Sequence, residues 1–129
     1  MKELDIQNQI RVAATMRGNI VTWRNNVGAA WQGEVLTMKD GSKLIRSPRI
    51  VNYGLCEGSS DLIGITTVTI TPEMVGQRVG IFTAVEVKKP GKNPTPTQRQ
   101  FIADVRQRGG RAGVATGVAG AMQIFNNAI

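Results

Sequence analysis

A chain of 129 residues, 41% hydrophobic and 19% charged, has the makeup of one globular domain with a core of its own rather than of a disordered segment. Its 16 basic and 9 acidic residues give a formal charge of +7, which favours a polyanionic partner, nucleic acid first among them. Histidine is absent and Cys56 is the sole cysteine, so Ser-His and Cys-His catalysis, HNH-type and zinc-dependent hydrolysis, an internal disulfide and a zinc finger are all excluded.

No stretch approaches the roughly 20 apolar residues of a membrane span, and MKELDIQNQI has no apolar signal core, so no membrane contact is expected and the cytoplasm is the expected location. Glu3 to Arg17 reads as a helix closed by Gly18, with Glu3, Gln7, Ile10 and Ala14 on one inward face and Ile6 and Ala13 beside them. A carboxylate such as Glu3 suits the positive end of a helix. Ile20 to Asn26 reads as a first strand and Val27 to Gly33 as a loop rich in glycine and alanine. A second strand is expected near Glu34 to Met38, then an Asp40-Gly41 turn and a return segment around Lys43 to Ile45. Arg24, Lys39, Lys43, Arg46 and Arg49 charge this hairpin, and Trp31 offers an aromatic face to an unstacked base. The alternative is a solvated basic hairpin with Trp23 in the core. Pro48 to Glu57 reads as a loop, with Tyr53 as packing and Cys56 as a small buried side chain or a bystander.

Asp61 opens DLIGITTVTI, a buried strand bounded by Gly58 and Pro72, and Thr71 to Gly76 reads as a short helical turn capped by Thr71. Val79 to Lys89 is the next strand, on which Phe82, Ala84, Glu86 and Lys88 share one side. The breaker-rich loop KPGKNPTPTQRQ follows, where Lys89 and Lys92 are placed to grip a phosphate backbone. Thr95 as N-cap, Pro96 at the first position and Gln98 at the third predict a capping box. The helix they open has Phe101, Ile102 and Val105 as its buried stripe, with Ala103 beside them, and ends at Gly109-Gly110. RAGVATG reads as a last short strand. Val118, Ala121, Met122 and Phe125 then repeat at helical spacing, as core packing or as a partner contact. The order is αβββαβα, with no internal repeat or linker, so residues 1–129 read as a single domain.

Asp61 and Glu86 put two carboxylates at the ends of neighbouring strands, with the Lys88 ammonium beside Glu86. Such oxygens suit a hard divalent cation, which usually takes one or two protein carboxylates and completes its shell with water and phosphate oxygens. The ion would polarise a phosphoryl oxygen and acidify water, while Lys88 steadies the nucleophile or the charge developing on phosphorus. For Glu86-x-Lys88 alone an ordinary strand-face ion pair is the better reading. With Asp61 added, the site reading prevails.

These residues carry a resemblance. GSSDLIG followed by AVEVKKPGKNPTPTQRQFIADVRQRGGRAGVA resembles the virus-type replication-repair nuclease domain (VRR-NUC), a branch of the PD-(D/E)XK superfamily. KELDIQNQI and WRNNVGAAWQG are similar to that domain's first helix and to its following strand and loop, so nearly the whole chain is covered. Ser60 departs from the superfamily pattern, standing where many relatives have proline. The resemblance implies an α/β, restriction-endonuclease-like αβββαβ core in which helices flank a mixed central sheet. It implies a deoxyribonuclease dependent on Mg2+ or Mn2+, with Asp61, Glu86, Lys88 and Gln98 catalytic and Asp61 and Glu86 on the metal. Glu3 would assist the metal directly or through water. For Glu3 and Gln98 the helix-end and capping readings stand beside the catalytic ones.

Small stand-alone members resemble Holliday-junction resolvases of viral replication and repair. That implies branched DNA as substrate, a homodimer, and the host cytoplasm if the source is a phage or another virus. The competing readings are a non-catalytic nucleic-acid-binding module and a general or flap-type DNA nuclease without junction preference. Two acids crowded beside phosphate would weaken binding without a metal, which counts against the binding module.

Overall fold

In the computed structural model, residues 2–126 are described. The elements run α1 (Glu3–Met16), β1 (Ile20–Arg24), β2 (Gly28–Thr37), β3 (Lys43–Tyr53), β4 (Leu62–Thr66), a 3₁₀ turn (Pro72–Met74), β5 (Thr83–Val87), α2 (Pro96–Gln107), β6 (Arg111–Ala115) and α3 (Val118–Asn126). With the β2–β3 hairpin set aside, the order is the expected αβββαβα, and the α/β class stands. Among the described residues the strands pair as β1 with β4, β2 with β3 and β5 with β6. The β5–β6 pair is parallel and the β2–β3 pair antiparallel, so both modes of pairing occur. Contacts divide the chain into two compact units, one holding the chain through Arg11 with Thr22–Gly64, the other Val12–Val21 with the chain from Ile65 onward.

In the first unit the hairpin is longer than the sequence suggests. The Val27 to Gly33 loop is strand from Gly28, and the return strand continues through Pro48 to Tyr53. Gly33 and Pro48 look like breakers, but they lie at an irregularity in the ladder between the pairs Gln32–Arg49 and Glu34–Arg46. A bulge tolerates a proline, which has no N–H to lose. A side chain at Gly33 would meet the Arg46 carbonyl oxygen at 2.5 Å, so only glycine allows the strands this close. The Asp40-Gly41 turn forms as expected, Gly41 at φ 85° and Asp40 Oδ1 accepting from the Ser42 N–H at 2.9 Å.

Helix α1 ends before Gly18 at φ 82°, as expected, but its inward face differs. Gln7, Arg11 and Ala14 are its less exposed residues, while Ile6 and Ile10 are exposed. Arg24 at the end of β1 donates to Asn8 Oδ1, so a polar side of the helix is tied down rather than the isoleucines. Cys56 is exposed, which leaves it a bystander.

The second unit holds every buried apolar side chain of the described residues: Ile65, Ile102, Val105, Ala112, Ala115 and Ile124. β5, α2 and β6 form a parallel βαβ unit whose register runs from Thr83 opposite Arg111 to Val87 opposite Ala115. The strand expected over Val79 to Lys89 is therefore confined to Thr83–Val87, because its partner β6 begins opposite Thr83. The Lys88 N–H still donates to the Ala115 carbonyl at 3.0 Å, extending the ladder one residue. Likewise β4 stops at Thr66 rather than Ile70. Beyond it the Thr67 N–H donates to the Asn19 carbonyl at 2.8 Å, just before β1 begins, and Val68 and Ile70 are exposed. Thr71 precedes the 3₁₀ turn without accepting a capping hydrogen bond through its side chain.

In α2 the buried residues are Ile102 and Val105; Ala103 and Phe101 are exposed. Of the stripe expected in helix α3 only Ala121 turns partly inward. Ile124 is buried, whereas Val118, Met122 and Phe125 are exposed. The reason lies in β6, where Gly113 has no side chain and a Cβ there would meet Ile124 Cδ1 at 2.9 Å. The isoleucine fills that gap.

Candidate active site

Successive side chains of β5 alternate in direction, and the parallel ladder to β6 fixes which of them face the same way. Lys88 Nζ lies 3.1 Å from Glu86 Oε1, so the two do share a face, and their side chains are only 21% and 28% exposed. Beside them Thr95 opens α2 with the expected capping box. The Gln98 N–H donates to Thr95 Oγ1 at 3.2 Å, and Gln98 Oε1 accepts from the Thr95 N–H at 2.8 Å. That cap engages only the oxygen of the Gln98 amide. A site role would fall to its Nε2, so the capping and site roles need not compete for the same atoms. Glu86 and Gln98 line one cavity of about 260 Å3, together with Ala84, Thr97, Phe101 and Ile102. Glu86, Lys88 and Gln98 are thereby gathered on one side of the βαβ unit.

The other candidates are placed as follows. Asp61 is an exposed bend residue immediately before β4, and its carbonyl accepts from the Asn25 N–H at 2.8 Å. Glu3 is exposed in the first turn of α1, where its charge also suits the helix end. Lys89 and Lys92 are exposed on a turn closed by the Lys92 N–H donating to the Lys89 carbonyl at 3.0 Å, with Gly91 at φ 80°. Lys43, at the start of β3, is exposed and donates through Nζ to Thr37 Oγ1 at 2.6 Å. Arg24 is exposed and already engaged with Asn8. Trp31 is exposed on the hairpin, and Trp23 is half-buried.

Carboxylate oxygens such as those of Glu86, set in a partly covered cavity wall, match the donor chemistry of a hard divalent cation. Among the described residues no group of three or more aspartate, glutamate, cysteine or histidine side chains is gathered closely enough to hold a metal. A two-carboxylate site requires no such group. A wider hollow, about 620 Å3 at the base of the hairpin, is lined by Val27, Tyr53, Leu55, Cys56 and Glu57 among others and brings no comparable donor pair together.

One residue to which the sequence reading gives no role stands out in the first unit. Asn25 is buried, at 7% exposure, and its side chain holds the loop that leads to Asp61. An asparagine at a strand end carries no signal in sequence that separates this from an ordinary loop residue.

The family model of the VRR-NUC domain matches residues 1–119. No curated protein and no solved structure matches the chain.

Proposed function

The chain belongs to the VRR-NUC family and so carries a nuclease domain of PD-(D/E)XK-like fold, and from that premise we propose that it is a DNA endonuclease dependent on Mg2+ or Mn2+. The observation that carries this reading is the Glu86–Lys88 pair on one face of β5, with Glu86 lining the same cavity as Gln98. An exposed ion pair contributes little to stability, whereas this one is mostly covered and its carboxylate stands beside the Gln98 amide.

In this reading Asp61 and Glu86 hold the cation, with Glu3 assisting directly or through water. The cation supplies Lewis acidity toward a phosphoryl oxygen and toward water. Lys88 brings an ammonium that stabilises the charge building on the phosphate oxygens, and the Gln98 Nε2 donors orient water or phosphate. The net reaction adds water across one ester bond: a P–O bond forms, the bond from phosphorus to the 3′ oxygen breaks, and that oxygen ends protonated. Arg24, Lys43, Lys89 and Lys92 contact the DNA backbone, a role supported by their exposure and by the formal charge of +7. Residues 1–129 are read as one domain, a reading supported by the family match over residues 1–119.

The finer reading is a cytoplasmic homodimer, in the host cell if the source is viral, that resolves branched DNA, because two symmetric cuts need two symmetric sites. No helix of the described residues is long and apolar enough to cross a membrane. The test is cleavage of linear duplex, flap, splayed and four-way DNA with Mg2+, Mn2+ or EDTA. Asp61→Asn and Glu86→Gln should each slow cleavage at least about a hundredfold, equivalent to roughly 2.7 kcal/mol of lost transition-state stabilisation. Lys88→Ala should lose cleavage while still binding the cation. A near-wild-type rate in either acid variant ends the metal-site reading. A monomer that cuts duplex and junction equally ends the junction reading and leaves a general or flap-type nuclease.

A further inference from the structure

The loop from Gly54 to Asp61 has little of its own to hold it. Nearly all of it is exposed, no apolar side chain in it is buried, and it contains two glycines with left-handed backbone, Gly54 at φ 87° and Gly58 at φ 82°. Within the loop, Ser59 bonds back to Cys56, its N–H donating to the Cys56 carbonyl at 3.0 Å and its hydroxyl to the same oxygen at 2.7 Å. Its main outside anchor is one side chain. Asn25 Nδ2 donates to Ser59 Oγ at 2.7 Å and to the Ser60 carbonyl at 2.9 Å, and Asn25 Oδ1 accepts from the Leu55 N–H at 3.0 Å. The Asn25 main-chain N–H, meanwhile, donates to the Asp61 carbonyl at 2.8 Å.

Every hydrogen-bonding direction of the amide is needed here. The oxygen must face the Leu55 N–H and the nitrogen the Ser60 carbonyl, so a flipped amide would set donor against donor and acceptor against acceptor. Aspartate has the shape but no donors. Serine has too few groups, and glutamine is one methylene longer. Asn25 therefore fastens the beginning of the loop at Leu55 and its end at Ser59, Ser60 and Asp61 to the end of β1.

We propose that Asn25 is the positioning residue for Asp61, setting where that carboxylate stands for the divalent cation. This rests on the reading of Asp61 as a metal ligand. Groups that hold a ligand in place typically change metal affinity or activity by about 10- to 100-fold when removed. Asn25 does this through the backbone, by holding the carbonyls of Ser60 and of Asp61 itself just before β4.

The experiment is Mn2+ binding to the full chain by titration calorimetry without DNA, alongside the Mn2+ dependence of cleavage, for Asn25→Ala, Asn25→Asp, Ser59→Ala and Asp61→Asn. Asn25→Ala should weaken Mn2+ binding about tenfold or more and raise the half-saturating Mn2+ for cleavage in parallel. The KM for DNA should stay unchanged and excess Mn2+ should restore the rate, a pattern that partial unfolding does not produce. Asn25→Asp should behave likewise, since it keeps the acceptor and loses both donors. Ser59→Ala removes one of the four bonds that Asn25 makes, together with the hydroxyl's own bond to the Cys56 carbonyl, and should give a smaller shift in the same direction. Mn2+ affinity within about twofold of wild type in folded Asn25→Ala, while Asp61→Asn has lost Mn2+, overturns the positioning role and leaves the metal site standing. Should Asn25→Ala not fold, an unchanged Mn2+ affinity in Ser59→Ala overturns it equally. Wild-type Mn2+ affinity in Asp61→Asn overturns the metal-site reading, and the positioning role with it.

Discussion

Val105, inside the β5–α2–β6 unit, has none of its surface exposed, whereas Trp31 and Ile50, opposite each other on the β2–β3 hairpin, keep 63% and 62% of theirs. Both regions form regular structure, but by different means. The βαβ unit and α3 bury Ile102, Val105, Ala112, Ala115 and Ile124, and the apolar area removed from water stabilises it. The hairpin buries no side chain fully, with Leu36 and Ile45 only half-covered, and relies on its ladder, its turn and the close strand approach at Gly33. Global stability should therefore sit in the first region and be nearly indifferent to side chains in the second, while basic residues can be spent freely on the second.

The largest effect expected from this contrast comes from the same substitution made in both places. Ile124→Ala should cost about 2–5 kcal/mol in urea unfolding, because the side chain fills the gap over Gly113. Ile50→Ala should stay within about 0.5 kcal/mol. Equal losses would mean that hairpin side chains carry as much of the stability as the buried ones do. A middle-sized effect sharpens it: Gly33→Ala forces a Cβ against the Arg46 carbonyl and Ile45 Cγ2, costing about 1–3 kcal/mol, all of it local to the hairpin. Hydrogen exchange should then quicken across β2 and β3 and stay unchanged in β5 and β6. The smallest effect is at the hairpin turn, where hydrogen bonds from the Ser42 hydroxyl and N–H hold the Asp40 carboxyl below its ordinary value of 3.8. A carboxyl lowered by folding stabilises the turn above its unfolded value, and that contribution is lost as the pH falls through the lower folded value. An NMR titration of Asp40 checks the direction, and an Asp40 that titrates at or above 3.8 would remove the turn from the account.

The same contrast explains what could be read from the sequence. Helix α2 was legible because Thr95, Pro96 and Gln98 act on their own neighbours, and no distant contact has to agree. The shared face of Glu86 and Lys88 follows from strand alternation alone. In the hairpin, Gly33 and Pro48 are breakers by type and become strand residues only because they meet at one bulge, a fact about the pair of strands. For α3, VAGAMQIF has apolar residues on nearly every side, and the inward one is chosen by the absence of a side chain at Gly113. Asn25 escaped for a similar reason. Its importance lies in what Leu55, Ser59 and Ser60 offer it from thirty or so positions away.

Because β2 and β3 pair only with each other among the described residues, each strand leaves an outer row of N–H and C=O groups open. An open rim of that kind invites a strand from another molecule, and chains guard against it with charge, proline and bulges. The hairpin has all three, in Lys39, Lys43, Arg46 and Arg49, in Pro48 and in the irregularity beside Gly33. Neutralising those cations to test the proposed DNA contact would also strip the hairpin of its guard against self-assembly, so such variants should be compared at matched ionic strength and checked for aggregation by light scattering. High salt, which shortens the reach of charge to a few ångströms, should act in the same direction on the wild-type chain.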